Sequence, residues 1–489
     1  MKYFIFLLAF VLFLNAEEIN KEVKESQEKL SFDWLLTLEK GIKRDFYINE
    51  YFQQDISKEE SLNVLALVNN LNNEMFFNFA KSFRHDETLA VAQCMNMDTR
   101  YLIDSYADCI VIGLSLEEAT TLSTIDIDLI IQKTREKYPI FAKKLKVISA
   151  SIPFTRLITS KKEEFYNIYL NVDTNFRTKY FNYKLPKRTF SKIFVDKKKF
   201  DKFISISLTN PKLTKVHNSL LKVDDSELSH NSSFLLALNS LNVNDLNDSY
   251  KYLENAISKV ENKKIIDKYL FWKYYITKDE NILETLSASS NLNFYSTLAN
   301  EILNKPLLDY NFLETLEAFD LLANDYEVSR IALLYATSKM KSDFNANKIS
   351  ENFEIGIMQL RTSFIKTISS SLNEEYIPSN QFNIENSIKY ANIHFSNLEN
   401  LYKNPIYLYL AYEGSVELLN SKSKNDLIIN NDLYKTLLNF EYMVNENKEY
   451  LKDFVLYYYY FYNKLNKDKN ITLSSIFENQ VESDQMLNE

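Results

Sequence analysis

The sequence predicts an all-α protein, a long helical solenoid followed by a second, mainly helical domain. Three observations carry this. Only four glycines and seven prolines occur in 489 residues, far fewer than turn-rich all-β or doubly wound architectures use. Apolar residues recur at three- and four-residue steps, with no strand-like alternation of any length. Short loops rich in Asn, Asp and Lys separate these segments, as expected where helix pairs stack in chain order. No strict repeat period is present, so the solenoid is degenerate rather than a regular array. A hydrophobic content of 46% is enough for a large core spread over two or three domains. The net charge of −9 argues against nucleic-acid binding as a global role.

Along the chain, Lys2 precedes an apolar run from Tyr3 to Leu14, followed by Asn15, Ala16, Glu17 and Glu18. That run is short for a bilayer span, and Ala16 supplies the small residue of a cleavage site. Residues 1–16 therefore read as a signal peptide. Leu14, at the third position back, leaves an uncleaved anchor as the alternative. No cysteine follows the run, which argues against a lipoprotein, and no second long apolar run follows it. The expected location is the periplasm, with no stable membrane span after cleavage.

Residues 17–305 form the expected solenoid. Within it, Cys94 and Cys109 could close one helical hairpin through a disulfide. Two isolated thiols are the alternative, and export favours the bridge. His85, His217, His230 and His394 have no metal-ligand spacing, so no metal site is expected. From Phe154 to Phe203 the chain is rich in cations and aromatics, including Lys161, Lys162, Arg177, Lys179, Lys192 and Lys197 to Lys199. A solvated helical face explains such a run; a groove that attracts anionic peptides is the functional alternative. Apolar periodicity then predicts helices over Ser233–Leu241, Asp248–Val260, Ile265–Ile276 and Leu292–Leu303.

Ile331 to Phe344 reads as a further helix, with Ile331, Leu334, Tyr335 and Ser338 on one face. Lys341 lies a heptad after Leu334, about 20° away around the axis, and so beside the buried stripe. The helix ends Lys341-Ser342-Asp343-Phe344. Ser350 follows, then Phe353, Glu354 and Gly356-Ile357-Met358-Gln359. Upstream stand Tyr269-Leu270-Phe271-Trp272 and Asn293-Phe294-Tyr295-Ser296-Thr297-Leu298-Ala299. Downstream come Phe382 to Ile388, Leu408-Tyr409-Leu410-Ala411-Tyr412-Glu413-Gly414, and Glu446, Lys448, Tyr450 and Leu451. The run Tyr457 to Phe461 would pack that closing helix on the core.

In this order and spacing the motifs resemble the soluble lytic murein transglycosylases. The resemblance covers roughly residues 230–465 and implies a lysozyme-like, mainly α domain after the solenoid. The expected boundaries are 306–467 for that domain and 468–489 for a polar tail. In the family, one glutamate protonates the glycosidic oxygen between MurNAc and GlcNAc. It then takes the proton of the sugar's own 6-hydroxyl, leaving a 1,6-anhydro product. Here Lys341 holds that position. Ser350 matches the serine that assists the sugar or the acid, while Gly356, Met358, Gln359 and Tyr412 match residues that line the glycan groove. Phe353 stands for a loop glycine, Glu354 for an alanine and Glu413 for an asparagine that touches substrate.

An unperturbed ammonium, with a pKa near ~10.4, is a poor proton donor to an ether oxygen at neutral pH. The resemblance with Lys341 in place therefore implies a periplasmic peptidoglycan-binding protein with impaired cleavage, an ion pair between Lys341 and Glu413 plugging the old site. It implies glycan strands, and other cell-wall enzymes, as partners, and no cofactor. One alternative is an active transglycosylase using a displaced acid, Asp343, Glu351 or Glu354. Another is a solenoid scaffold that binds no glycan.

Overall fold

A computed structural model describes residues 30–289, 291, 293–306, 319, 326–414, 433–442, 445–466 and 470–478. The signal segment 1–16 lies outside the described residues. Among the described residues the regular structure is helical; two isolated bridges, Ile349 to Ile355 and Ile355 to Leu360, are the extended pairings. No described helix is long and apolar enough to cross a membrane.

Local sequence sets the helix ends. Ser57, Asn72, Ser123, Ser229 and Asn262 cap helix N-termini through their side chains, and Ser115 with Glu118 forms a full capping box. Pro139, Pro153 and Pro405 each begin a helix, where the missing N–H has no cost. With few glycines available, other residues take the left-handed conformation that closes helices. Arg84, Lys278, Asp343 and Asn373 do so at φ 50°, 56°, 53° and 54°. Each such residue costs about 1–2 kcal/mol relative to glycine.

From Leu30 to Leu303 successive helices pack on their neighbours in sequence, the arrangement of a solenoid. The helices expected from periodicity occur as His230–Asn242, Leu246–Ser258, Lys263–Thr277 and Phe294–Ile302. A further one, Glu280–Ser287, packs between the last two. Cys94 and Cys109 are joined by a disulfide with Cα atoms 5.1 Å apart, tying helix Asp86–Met95 to Ala107–Gly113.

The second helical unit is built on helix Val328–Ser342, which packs along Asn445–Leu465. Tyr335 of the first stacks on Phe461 of the second, with ring centroids 4.8 Å apart. The solenoid meets this unit at two seams. At its far end Lys264 pairs with Asp453 at 2.5 Å, and buried Lys452 pairs with buried Glu441 at 2.8 Å. Tyr295 also hydrogen-bonds Glu441 there, so the last solenoid helix is fastened to the closing helix. At its beginning, Phe46 sets its edge against Phe353 and Phe382, 6.0 and 6.3 Å away, and Asn72 donates to the carbonyl of Glu351 at 3.0 Å. Both ends of the solenoid thus grip the same domain.

Two expectations need correction. Helix Val328–Ser342 stops before Phe344, because Asp343 and Phe344 both turn to positive φ. Residues 470–478 do not trail away as part of a polar tail. Leu473, Ile476 and Phe477 are buried, and Asn404 Nδ2 donates to the carbonyl of Ile476 at 2.9 Å. Three apolar side chains in this short stretch supply the burial that outweighs its polar surroundings. Residues 467–469 and 479–489 lie outside the described residues.

Candidate functional site

Helix Val328–Ser342 carries Lys341 on its last turn, where the side chain is only 8% exposed. The loop that follows is tied to the helix. Lys348 Nζ donates to the Lys341 carbonyl at 2.7 Å, and Ser342 Oγ donates to the Ile357 carbonyl at 2.6 Å. Ser350 Oγ accepts from the Glu354 N–H at 3.0 Å, holding the tip of the loop. Gly356, at φ 79°, lies so close to a neighbouring segment that a Cβ there would sit 2.1 Å from the Gln381 carbonyl oxygen. Glycine is required at that point.

Phe353 occupies the place where the resembled family has glycine, and it takes a left-handed φ of 57°. A phenylalanine thus takes a left-handed turn of the kind that favours glycine. Its fully buried ring packs against Phe46 of the solenoid, and that contact offsets the backbone strain.

The loop delivers Glu354 to Lys341. Lys341 Nζ lies 3.0 Å from Glu354 Oε2 and 2.9 Å from Glu413 Oε1. The first contact is an aligned hydrogen bond, and the second is an ion pair by proximity. Arg361 completes the cluster, with Nε 3.2 Å from Glu354 Oε1 and Nη2 donating to the Glu413 carbonyl at 3.0 Å. Gly414 leaves space for it: a Cβ there would meet Arg361 Nη1 at 2.9 Å. Two cations and two carboxylates thus form a neutral, closed set. Burial alone would push the Lys341 ammonium down. The fields of Glu413 and Glu354 and their hydrogen bonds outweigh it and hold the group above its usual pKa.

A raised ammonium pKa favours the protonated form of Lys341. The neighbouring carboxylates are poorly placed to replace a glutamate. Glu354 has both oxygens held by cations. Asp343 is 74% exposed and paired with Lys339, and the Glu351 side chain faces solvent.

The remaining sequence-derived site residues take supporting positions. Met358 is fully buried, and its N–H donates to Ser387 Oγ at 3.3 Å. Gln359 is buried at φ 49°, its side-chain amide donating to the carbonyls of Lys348 and Gly356 at 2.8 Å each. Tyr412 is buried against Phe395 and donates to the Met358 carbonyl at 2.7 Å; burial pushes its phenol well above the ordinary value. These residues shape the loop beneath the cluster. Arg361 escaped the sequence reading. Its signal was charge balance, since a lysine facing two new glutamates needs a second cation for neutrality.

Residues 322–427 match the family model described as Transglycosylase SLT domain. Over this span the chain is similar to that family. Lys341, Glu354, Arg361 and Glu413 all lie within its matched span. No curated protein matches the chain significantly. Among solved structures, the chain is similar to an inactive mutant of the lytic transglycosylase Slt from Pseudomonas aeruginosa. Identity is 10%, coverage 94% of this chain and 93% of that one, and the TM-score 0.44. It is also similar to the 70 kDa soluble lytic transglycosylase of Escherichia coli, at 11% identity, covering 95% of this chain and 85% of that one, with a TM-score of 0.39. Outside the matched span, His85, His217 and His230 bond to Thr88, Ser207 and Tyr269; within it, His394 lies against Phe364 and Tyr412. Among the described residues no group of His, Cys, Asp or Glu could hold a metal ion.

Proposed function

We propose that this is an exported, periplasmic protein that binds peptidoglycan glycan strands through its SLT domain without cleaving them. One observation carries the reading. The three places where acid, loop alanine and groove asparagine are replaced, Lys341, Glu354 and Glu413, meet at a single point within 3.0 Å of the lysine nitrogen. Independent decay of an unused active site would scatter substitutions. A mutually neutralising cluster instead maintains a folded groove from which the proton-transfer group has been removed. Met358, Gln359 and Tyr412 are buried and keep the loop beneath the cluster in shape, so a glycan would lie over the cluster rather than against these three. Activity on other cell-wall enzymes, as a scaffold or regulator, would follow from such binding.

The test is digestion of purified peptidoglycan with anhydro-muropeptides read by mass spectrometry, alongside a glycan pull-down. The wild type should release nothing and sediment with the sacculus. Lys341→Glu alone would place three carboxylates together, so activity is expected only from the triple variant Lys341→Glu, Glu354→Ala, Glu413→Asn. Anhydro products from the wild type would sink the non-cleaving reading. Failure to sediment would favour a scaffold without glycan affinity.

A further inference from the structure

Arg177 is a buried cation that forms no ion pair with a carboxylate among the described residues. It is 4% exposed, donates from Nε to the Tyr169 carbonyl at 2.9 Å and from Nη2 to the Val172 carbonyl at 2.7 Å, and lies 5.5 Å over the Tyr169 ring. Glu117 and Asp173 act on it only through space, and burial holds its pKa below the ordinary value. Buried charges are normally paired, because leaving one unpaired is costly. Capping the helix Lys162–Tyr169 explains Nε and Nη2 but leaves Nη1 uncommitted to the protein.

Arg177 forms part of the wall of a cavity of about 730 Å³, where helix ends from successive solenoid turns converge. The volume suits a small organic ligand. Lys144 lines the same cavity and makes no ion pair among the described residues; Glu117 stands at the edge, in solvent. Among the lining residues Lys144 and Arg177 are the cations and Glu117 the anion, while Asp173 acts on Arg177 from just outside the wall. The other walls offer the amides of Asn167 and Asn171, the Ser205 hydroxyl and the apolar surface of Ile206.

We propose that this solenoid cavity is a receptor for the carboxylate end of a short peptide, with Arg177 and Lys144 holding the anion and the asparagines holding the peptide amides. The amide-rich wall and the room beyond Arg177 match a ligand of two or three residues rather than an inorganic ion. A preorganised guanidinium held by two carbonyls is well suited to a planar anion. This site is separate from the SLT groove, and the inference does not rest on what that groove binds.

The experiment is calorimetric titration of the full chain with N-acetyl-alanyl-alanine, its C-terminal amide, and inorganic phosphate. Saturable binding of the free acid is expected, with the amide at least about tenfold weaker. Lys144→Ala should weaken the acid by about tenfold, and Glu117→Gln should tighten it. Glu413→Gln, in the SLT groove, should leave it unchanged. Arg177→Lys keeps the charge but loses the fork, so a lowered melting temperature with unaltered affinity would reduce Arg177 to a helix cap and overturn the proposal. Equal binding of acid and amide, tighter binding of phosphate, or no binding up to on the order of 10 mM would overturn it as well.

Discussion

Lys341 is a buried cation held between two carboxylates, Glu354 and Glu413. A glutamate here would need a raised pKa and a free oxygen, whereas the ammonium gains its stability from being flanked. The pair with Glu354 has side-chain exposures of 7% and 13%, dry enough that removing one partner strands the others. Lys341→Ala should therefore destabilise the fold by about 2–4 kcal/mol in chemical denaturation, because Glu354 and Glu413 are left facing each other. A different triple variant, Lys341→Met with Glu354→Gln and Glu413→Gln, removes all three charges and should recover most of that loss. A raised lysine pKa contributes stability that is full below its unfolded value and lost only as pH rises through the folded one. The cluster should thus hold its contribution unchanged across neutral pH and weaken only in strong alkali.

At the scale of elements, the loop from Ser350 to Leu360 matters most, because it is shared by two parts of the chain. Its backbone shape needs left-handed turns at Phe353, Gly356 and Gln359, and only one of these is glycine. Phe353 is tolerated because its ring is buried against Phe46 at the start of the solenoid. Phe353→Gly relieves the strain but empties that contact. The lost packing, about 3–5 kcal/mol for a buried Phe, exceeds the strain relief of about 1–2 kcal/mol. The variant should melt at lower temperature, with faster proteolysis of the first solenoid helices. A rise in melting temperature would show that strain, and not packing, governs the loop. The periodicity of Ile331 to Phe344 was legible from sequence, yet its end was not, because an aspartate and a phenylalanine at positive φ carry none of the usual glycine signal.

The whole molecule is a solenoid whose two ends hold the second helical unit, and its pH response resides partly at the first seam. Burial, reinforced by Glu74 and opposed by Gln53 and Lys366, raises Glu50 from 4.5 to about 7. The folded state keeps a proton there that the unfolded chain releases. This contribution is complete below the unfolded value and is lost as pH rises through about 7. Glu50→Gln should accordingly raise the melting temperature at pH near 8 and change it little near 4.5; no difference at either pH would show that Glu50 titrates normally. His394 acts in the opposite sense. Burial lowers it from 6.5 to about 4, so its share of stability is present above 6.5 and fades as pH falls toward 4. The two partly cancel between those limits, and only the variant separates them.

The sequence by itself determined the helical class and the succession of helices, and by resemblance alone it pointed to Lys341 as the residue in the acid position. Periodicity, caps and motif order are local properties, and a chain expresses them before it folds. It also suggested that Lys341 and Glu413 oppose each other, because two charge changes in one motif set invite pairing. Tertiary structure alone decided that Glu354 joins them, that Arg361 balances the set, and that Arg177 is buried beside a cavity with no ion pair among the described residues. These facts depend on which distant segments meet in space. Burial decides whether a charge is a solvated surface group or an unpaired centre awaiting an anion, and burial is a property of the packed molecule rather than of the order of residues.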